Sequence, residues 1–318
     1  MTEPTLKEIR DAADRIRLYA HKTPVLTCTN LDQQVGAQVF LKCENFQKVG
    51  AFRFRGACNT VFSLSETEAQ RGVATHSSGN HAQALALAAR LRGVPANIVM
   101  PSSAPQVKKA AVAGYGGQTT FCDPTLEARD TTLAKVISET GAVEVHPNNN
   151  YQVIAGAGTA ALELVYEIPG LDVVIAPVGG GGLLSGTAIS VTEVSRQTRV
   201  IAGEPEMADD AYRSMQAGTI IPSIKPQTIA DGLLTSLGKL TFPIIQKRVE
   251  QIVTVSEDAI IEAMKFVWER VKIIIEPSAA VSVAVLWEGK IDLTGLRVGV
   301  ILSGGNVDLD QLPWQSLS

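Results

Sequence analysis

The sequence predicts an α/β protein with two open lobes built on mainly parallel sheets. Short apolar runs alternate with segments whose apolar residues recur every three or four positions, which is the pattern of strands joined by helices. Loops rich in glycine and serine follow several of these runs, as they do at the carboxyl edge of a parallel sheet. The chain has 318 residues, of which 45% are hydrophobic, so it can bury a large core.

The individual elements follow from local patterns. Thr5 and Glu8 have the spacing of a capping box and predict that the first helix begins there. Helical periodicity predicts further helices that include 80–91, 126–139 and 257–271. The candidate strands are the apolar runs at 39–42, 73–76, 96–100, 118–121, 143–146, 173–177, 200–204, 252–255 and 298–302.

Composition limits the class of partner. The net charge is −4 and the isoelectric point is near 5.7, so there is no basic face for nucleic acid and no polybasic membrane anchor. No apolar run approaches the roughly 20 residues that a membrane-spanning helix needs, and residues 1–9 do not resemble a signal sequence. We expect a cytoplasmic protein that acts on small molecules. The cysteines lack metal-site or disulfide spacing and are expected to be reduced packing residues: Cys28, Cys43, Cys58 and Cys122.

The strongest local motif is a run of glycines. It follows the apolar run 173–177 directly and opens a helical segment at Leu183. Without side chains, successive backbone N–H groups can converge on one anion, and the helix N-terminus adds its positive dipole end. The motif predicts a phosphate cradle formed by Gly179, Gly180, Gly181 and Gly182.

A dinucleotide site is the alternative for a glycine motif in such a fold. The segment 156–161 matches G-x-G-x-x-A, but the polar stretch 147–152 separates it from the preceding strand. No acidic residue ends the next strand, as nicotinamide dinucleotide binding would require. We therefore discount NAD as the cofactor.

Two further loops have the same placement after a strand. The loop 77–83 follows the run 73–76, and its short polar side chains suit a carboxylate or a phenolic oxygen, although such residues are also ordinary helix caps. The loop 302–306 follows the last candidate strand. Three loops at strand ends indicate a single ligand crevice.

Several spaced motifs together are similar to those of the fold-type II pyridoxal 5′-phosphate (PLP) enzymes, the class of the tryptophan synthase β chain. The resemblance runs in order from about residue 20 to residue 309 and is strongest to eukaryotic-type serine racemases and threo-3-hydroxyaspartate dehydratases. It implies a large PLP-binding domain formed by 1–69 and 151–318, a small domain at 70–150, and a homodimer. The matching segments are 44–57, 77–83, 179–182, 204–205 with 208–210, 275–277 and 303–306.

The resemblance also implies how the cofactor is held. The glycine run would bind the phosphate, Asn80 the 3′-oxygen and Ser303 the pyridine nitrogen. A hydroxyl partner leaves that nitrogen largely unprotonated, which favours elimination or proton exchange over reactions that demand a stronger electron sink. The implied cofactor-binding residues are Phe52, Asn80, Gly179, Gly180, Gly181, Gly182, Leu183, Glu276, Ser303 and Gly304.

The implied substrate residues are Ser77, Ser78, Asn80, His81, Arg129 and Asn148. Ser78 matches the acid/base that serine racemases carry on the cofactor face opposite the lysine; otherwise it is a loop serine. Arg129 could grip a second carboxylate, as 3-hydroxyaspartate has, or could be a solvated residue of a charged helix. His81 could be no more than a polar residue at a helix start.

Two accessory sites are implied in the same way. Glu204, the Ala208 carbonyl and Asp210 match a divalent-cation site, and these hard oxygen ligands suit Mg²⁺, Mn²⁺ or Ca²⁺. Tyr115 resembles part of the nucleotide-effector site of some racemases, and a packing role for it is equally open.

The chain departs from the family at Arg53. The family motif has lysine there, and that lysine forms the Schiff base with the cofactor; this chain has Phe52-Arg53-Phe54-Arg55. A guanidinium stays protonated and has no free lone pair, so Arg53 cannot form that bond. Lys48, five residues away, is no ready substitute.

We therefore expect the activity of a PLP-dependent ammonia-lyase. The reaction is β-elimination from an L-β-hydroxy amino acid, such as serine, threonine or 3-hydroxyaspartate, to a 2-oxo acid and ammonia. The chain itself is expected to be inactive or trapped because of Arg53. Serine racemization is the alternative, and a catalytically inactive protein that binds PLP or an amino acid is a third hypothesis.

Overall fold

The structure contains two separate sheets. It is a computed structural model that describes residues 3–315. The strands of this part of the chain are β1 (Val25–Leu26), β2 (Gln38–Cys43), β3 (Val73–His76), β4 (Ala96–Pro101), β5 (Gln118–Cys122), β6 (Val143–Glu144), β7 (Val173–Pro177), β8 (Arg199–Pro205), β9 (Gln251–Val255) and β10 (Arg297–Leu302).

The larger sheet combines strands from both ends of the chain. Its order is β1-β2-β10-β7-β8-β9. β1 is antiparallel to β2, and the other neighbours are parallel. All residues of β7 are buried, as expected for a central parallel strand covered on both faces. The smaller sheet, β5-β4-β3-β6, is wholly parallel and comes from a single continuous stretch.

Helices cover these sheets. The α-helices of the described residues are α1 (Leu6–Ile16), α2 (Thr29–Val35), α3 (Arg53–Ser63), α4 (Glu66–Gln70), α5 (Asn80–Arg92), α6 (Gln106–Gly114), α7 (Leu126–Thr140), α8 (Tyr151–Glu167), α9 (Gly182–Val194), α10 (Asp210–Ala217), α11 (Thr241–Arg248), α12 (Glu257–Phe266) and α13 (Pro277–Ala284). Short 3₁₀ turns lie at Glu44–Phe46, Lys48–Gly50, Glu206–Ala208 and Asp231–Leu233.

These elements confirm the predicted α/β class. Each candidate strand is present, and the predicted capping box of α1 forms between Thr5 and Glu8. The sequence pattern missed β1 and made β6 too long, since pairing with β3 ends at Glu144. The helix predicted at 257–271 is also wrong in part: α12 stops at Phe266 and a π-helix follows at Val267–Val271.

Close contacts between helices explain the G-x-G-x-x-A pattern at 156–161. These residues lie inside α8, so they do not form the turn between a strand and a helix that a dinucleotide site needs. A Cβ on Gly156 would lie 2.6 Å from the Arg55 carbonyl oxygen of α3, and one on Gly158 would lie 2.8 Å from the Gly186 carbonyl oxygen of α9. The glycines therefore serve close packing of α8 between α3 and α9.

A buried charge network fixes the start of α3. Arg55, only 1% exposed, donates from Nε to Glu44 at 2.7 Å and from Nη1 to Glu163 at 2.7 Å. Lys42 is also buried and donates from Nζ to the second oxygen of Glu163 at 2.6 Å. The network joins β2, α3 and α8, and removal of one partner from such a buried pair typically costs roughly 3–5 kcal/mol.

The described residues also bear on the cysteines and on membrane-spanning helices. All four cysteines are free thiols, and Cys122 alone among them is not fully buried. No helix among residues 3–315 is both long and apolar enough to cross a membrane. The division into domains at 70 and 150 stays a prediction.

Candidate active site

The glycine loop joins β7 to α9 and presents unsatisfied backbone donors. Gly179–Gly182 are buried, yet the N–H groups of Gly179, Gly180 and Gly181 have no hydrogen-bond acceptor in the described residues. Buried N–H groups are rarely left unpaired, so the loop is suited to a bound anion. Gly181 has φ +85°, a conformation that favours glycine.

The side-chain face of the same loop is closed by protein. A Cβ on Gly180 would lie 2.3 Å from Cγ of Asn148, and one on Gly179 would lie 2.9 Å from the Leu233 Cα. Asn148 is itself buried and donates from Nδ2 to the Gly180 carbonyl at 2.8 Å. These contacts hold the loop rigid, and they place the predicted substrate residue Asn148 beside the cradle. Leu183, predicted to bind the cofactor, follows in the first turn of α9 and is buried.

The loop from Ser77 to His81 forms the N-terminus of α5. Ser77 Oγ accepts the N–H of Gly79 at 3.3 Å, and Ser78 is partly exposed. Asn80 donates from Nδ2 to both carboxylate oxygens of Glu276, at 3.0 and 3.1 Å. This contact brings the second loop to the segment that precedes α13.

His81 is buried and neutral. Its Nε2 lies 3.0 Å from the Val145 carbonyl oxygen, and its Nδ1 has no partner among the described residues. Burial, and then the charge of Arg53, lower its pKa to about 3. The sequence did not single out His146, whose pKa is lowered to about 4 by burial and then by His76 and Arg53. The charge of Arg53 thus acts on both histidines.

The third loop brings Ser303 and Gly304 to the same place. Ser303 is 3% exposed, and its carbonyl accepts the N–H of Phe52 at 2.9 Å. A Cβ on Gly304 would lie 2.6 Å from Oε1 of Glu276. Burial raises the pKa of Glu276 to about 7, against the stabilising hydrogen bond from Asn80. The Ser77–His81 and Ser303–Gly304 loops thus meet at Glu276, and the glycine loop lies at the same sheet edge because β7 pairs in parallel with β10.

Arg53 lies where these loops meet. It is the first residue of α3, and its Nη1 donates to the Pro147 carbonyl at 2.7 Å. The guanidinium carbon lies 4.8 Å from the centre of the Phe52 ring. Burial lowers the Arg53 pKa to about 10, and the charge of Glu276 partly opposes that shift. Lys48 is not in an equivalent place: its Nζ lies over the Phe54 ring, 5.7 Å from the ring centre.

Arg129 is less closely connected to these loops. It lies on α7, where its Nε is buried without a partner in the described structure. Burial lowers the pKa of His76. Asp130 opposes that shift, and the charge of Arg129 adds to it. No hydrogen bond joins Arg129 to the cradle or to the Ser77–His81 loop within residues 3–315. Tyr115, at the end of α6, packs 5.8 Å under the Arg90 guanidinium.

The predicted cation residues form a buried acidic pocket. Glu204, at the end of β8, accepts the N–H groups of Ala211 and Tyr212 at 2.8 and 2.7 Å. Both carboxylate oxygens of Asp210 are buried and lack a well-formed hydrogen bond in the described structure, although the Ser223 side chain lies near enough to lower the Asp210 pKa. Burial raises the pKa of Glu204 to about 8 and that of Asp210 to about 6.

Carboxylate and carbonyl oxygens are the hard donors that a divalent cation prefers. The described residues contain no group of three or more acidic, histidine or cysteine side chains that could hold a metal, so the Ala208 carbonyl and water would have to complete the coordination. The orphaned Asp210 oxygens are the observation that supports such a site.

Two comparisons define the class of protein. Residues 16–304 match the family model described as "Pyridoxal-phosphate dependent enzyme", and the chain belongs to this family. The fold agrees: a solved structure of serine racemase from Dictyostelium discoideum superimposes with a TM-score of 0.92 at 50% identity, covering 96% of this chain and 99% of that one.

Individual relatives show which enzymes of the family this chain is similar to. The chain is 51% identical to a beta-hydroxyaspartate dehydratase of Paracoccus denitrificans (strain Pd 1222), over 98% of this chain and 99% of the relative. It is 45% identical to an L-threo-3-hydroxyaspartate ammonia-lyase of Saccharomyces cerevisiae (strain ATCC 204508 / S288c), over 97% of this chain and 95% of the relative. The predicted similarity to racemases and hydroxyaspartate dehydratases is confirmed.

Proposed function

We propose that this scaffold carries out PLP-dependent β-elimination from an L-β-hydroxy amino acid, releasing a 2-oxo acid and ammonia. The main support for the proposal is the buried, unsatisfied N–H groups of the glycine loop, because such groups can donate hydrogen bonds to the phosphate of this cofactor. The names of two relatives, both acting on hydroxyaspartate, point to the reaction and to 3-hydroxyaspartate as the first substrate to test.

Each part of the site has a separate proposed role. Gly179–Gly182 hold the phosphate, Asn80 and Ser303 orient the pyridine ring, and the Ser77–His81 loop binds the substrate carboxylate. When bound, PLP supplies the electron sink that makes the substrate Cα proton acidic. Because His81 is neutral, the loop amides and hydroxyls at the N-terminus of α5 are the donors left for the carboxylate.

A second carboxylate needs its own partner. The unpaired Nε of Arg129 is the donor that supports this role, since an arginine can bind a carboxylate in a fork of two hydrogen bonds. Asn148 supports the cradle from its other side. Arg129→Lys should therefore weaken turnover of 3-hydroxyaspartate more than turnover of serine in an active protein.

Serine racemization is the second candidate function. It is favoured by Ser78, a partly exposed hydroxyl in the Ser77–His81 loop, and by relatives named serine racemase. Racemization requires a proton on the second face of the substrate carbon, which elimination from the L-substrate does not. In a lysine-restored protein, Ser78→Ala should abolish racemization and leave elimination largely intact; equal loss of both would remove Ser78 from this role.

Arg53 makes the chain, as it stands, a poor catalyst. Lysine at this place supplies both a covalent bond to the cofactor and a base, and arginine supplies neither at neutral pH. A protein that binds the cofactor and amino acids without turnover is therefore the third candidate for the native chain. We propose that Arg53 lowers turnover by several orders of magnitude.

The test is to restore the lysine. Arg53→Lys should release 2-oxo acid from at least one of L-serine, L-threonine, threo-3-hydroxyaspartate and phenylserine, whereas the unchanged chain and Arg53→Gln should not. Arg53→Gln is the matched control because it removes the charge without adding an amine. A PLP-loaded Arg53→Lys protein that is inert toward all four substrates would contradict the proposed reaction.

The remaining expectations are proposals of the same kind. We propose a divalent cation at Glu204, Ala208 and Asp210, a homodimer, a cytoplasmic location and a nucleotide effector near Tyr115. The pocket at Glu204 and Asp210 supports the first of these, and family resemblance alone supports the dimer and the effector.

A further inference from the structure

We propose that Arg53 makes position 53 a specificity determinant that accepts an oxygen-bearing group at the 4-position of a phosphorylated pyridine and rejects a protonated amine there. The inference rests on the proposed binding of PLP at this site. It concerns the ligand class of the native chain and does not depend on turnover.

The first step is the place of the guanidinium. Nη1 of Arg53 donates to the Pro147 carbonyl, next to Asn148, which supports the cradle. The preceding residue, Phe52, donates its N–H to the Ser303 carbonyl. Arg53 thus lies one residue from each contact: its partner Pro147 precedes Asn148, and Phe52 precedes Arg53 itself. The resemblance implies a Schiff-base position at residue 53, and the proposal takes the ring's 4-position to lie beside Arg53 for that reason.

The second step is the charge around the Arg53 guanidinium. No salt bridge joins Arg53 to a carboxylate in the part of the chain that the structure describes. Glu276 acts on Arg53 only at longer range, and its oxygens already accept hydrogen bonds from Asn80 and from the N–H of Asn306. His81 and His146 are neutral at physiological pH. The guanidinium is therefore a positive charge without an ion-pair partner among the described residues, beside the Pro147 carbonyl and the Phe52 ring.

The third step is the selectivity that follows. A guanidinium donates hydrogen bonds and accepts none, so it can pair with an aldehyde, an alcohol or a carboxylate oxygen. An ammonium group offers only donors and the same sign of charge, so it is repelled. A lysine at this position would instead select the aldehyde by covalent condensation with loss of water.

The experiment compares four ligands by equilibrium dialysis with the whole chain: the 5′-phosphates of pyridoxal, pyridoxine, 4-pyridoxic acid and pyridoxamine. We expect the first three to bind reversibly and the pyridoxamine compound to bind at least tenfold more weakly. Arg53→Gln should bring the pyridoxamine compound to within about threefold of pyridoxine phosphate, because the like charge is gone. Arg53→Lys should retain pyridoxal phosphate through dialysis and keep the penalty against the amine.

The outcomes separate this inference from the proposed function. In Gly180→Ala the added Cβ would collide with Asn148. This variant should bind all four phosphates more weakly, which would show that binding uses the cradle. If the native chain binds none of the four, the proposed function fails. If it binds them all, with the pyridoxamine compound as tightly as pyridoxine phosphate, the role of Arg53 is wrong and the proposed cradle stands.

Discussion

At the scale of single residues, arginine in place of lysine at position 53 should leave the chain without a covalent bond to the cofactor. Treatment of the PLP-loaded native chain with borohydride should leave no phosphopyridoxyl group on any lysine, because Arg53 cannot condense with the aldehyde and Lys48 lies against Phe54. Arg53→Lys should acquire one such group at residue 53. Peptide mass spectrometry distinguishes the two, and a modified Lys48 in a catalytically active native chain would reveal a relocated nucleophile.

Glu276 should make stability depend on pH. Its pKa is raised from an ordinary 4.5 to about 7 in the folded protein, chiefly by burial, so folding favours the protonated acid. That contribution is complete below pH about 4.5 and is lost as the pH rises through about 7. Relative to Glu276→Gln, the ligand-free native chain should lose roughly 2–3 kcal/mol of unfolding free energy between pH 4.5 and pH 8.

Urea unfolding across that pH range provides the measurement. The exposed Glu262, on α12, gives a matched control: Glu262→Gln should track the native chain at every pH. Parallel curves for the native chain and Glu276→Gln would show that the carboxyl of Glu276 is not held in its protonated form.

The residues that sequence patterns could find are those in contiguous motifs. The glycine run, Ser77–His81 and Ser303 stand out because a strand precedes each of them and a loop exposes backbone donors. Asn306 lies in the third loop but received no role from the sequence, although it donates from Nδ2 to the Asn80 side chain. Its partners come from segments far apart in the chain, and no local spacing records such a contact. The roles given to the motif residues stay predictions.

At the scale of elements, the junction of β8 and α10 should respond to metal removal. A cation that binds Glu204 and Asp210 only in the folded state stabilises it by mass action, by about 2.7 kcal/mol at a hundredfold excess over the dissociation constant. Chelation should therefore lower the melting temperature, and Asp210→Ala should abolish that response. Asp209→Ala should preserve it, because Asp209 pairs with Arg213 instead. A melting curve indifferent to chelator would mean that the pocket holds no cation.

The packing of α8 against α9 should tolerate no side chain at Gly186. A Cβ there would lie 2.4 Å from the Ile154 carbonyl oxygen and 2.5 Å from the Gly158 nitrogen, and backbone atoms cannot swing away. Gly186→Ala should cost about 3 kcal/mol of unfolding free energy. Gly114→Ala, at the end of α6 with open space around it, should cost nothing measurable in the same urea titration.

Periodicity predicted the elements well where burial is two-sided. Parallel strands such as β7 and β10 are covered on both faces and leave continuous apolar runs in the sequence. β1 has two half-buried residues and leaves no such run. The π-helix at Val267–Val271 was missed because the apolar spacing of α12 continues into it. Within it, Trp268 Nε1 donates to the Ile275 carbonyl, a contact that the spacing does not record.

At the scale of the whole molecule, the charge network and the site share one helix. Arg55 is anchored to Glu44 and Glu163, two residues from Arg53 in α3. The same helix packs against α5, whose N-terminus carries Asn80. α3 therefore connects the larger sheet to the smaller one, and the site lies where the two halves of the molecule meet.

The position of β10 has a consequence for synthesis on the ribosome. β10 is the last strand of the described residues, yet it lies between β2 and β7 in the larger sheet. The smaller sheet is complete once Glu144 has been made, whereas β2 and β7 have no common neighbour until Arg297–Leu302 leave the exit tunnel. Until then the nascent chain exposes two unpaired strand edges, which favour aggregation. A premature stop codon just before residue 297 should therefore be as damaging as an early one, although most of the polypeptide has been translated.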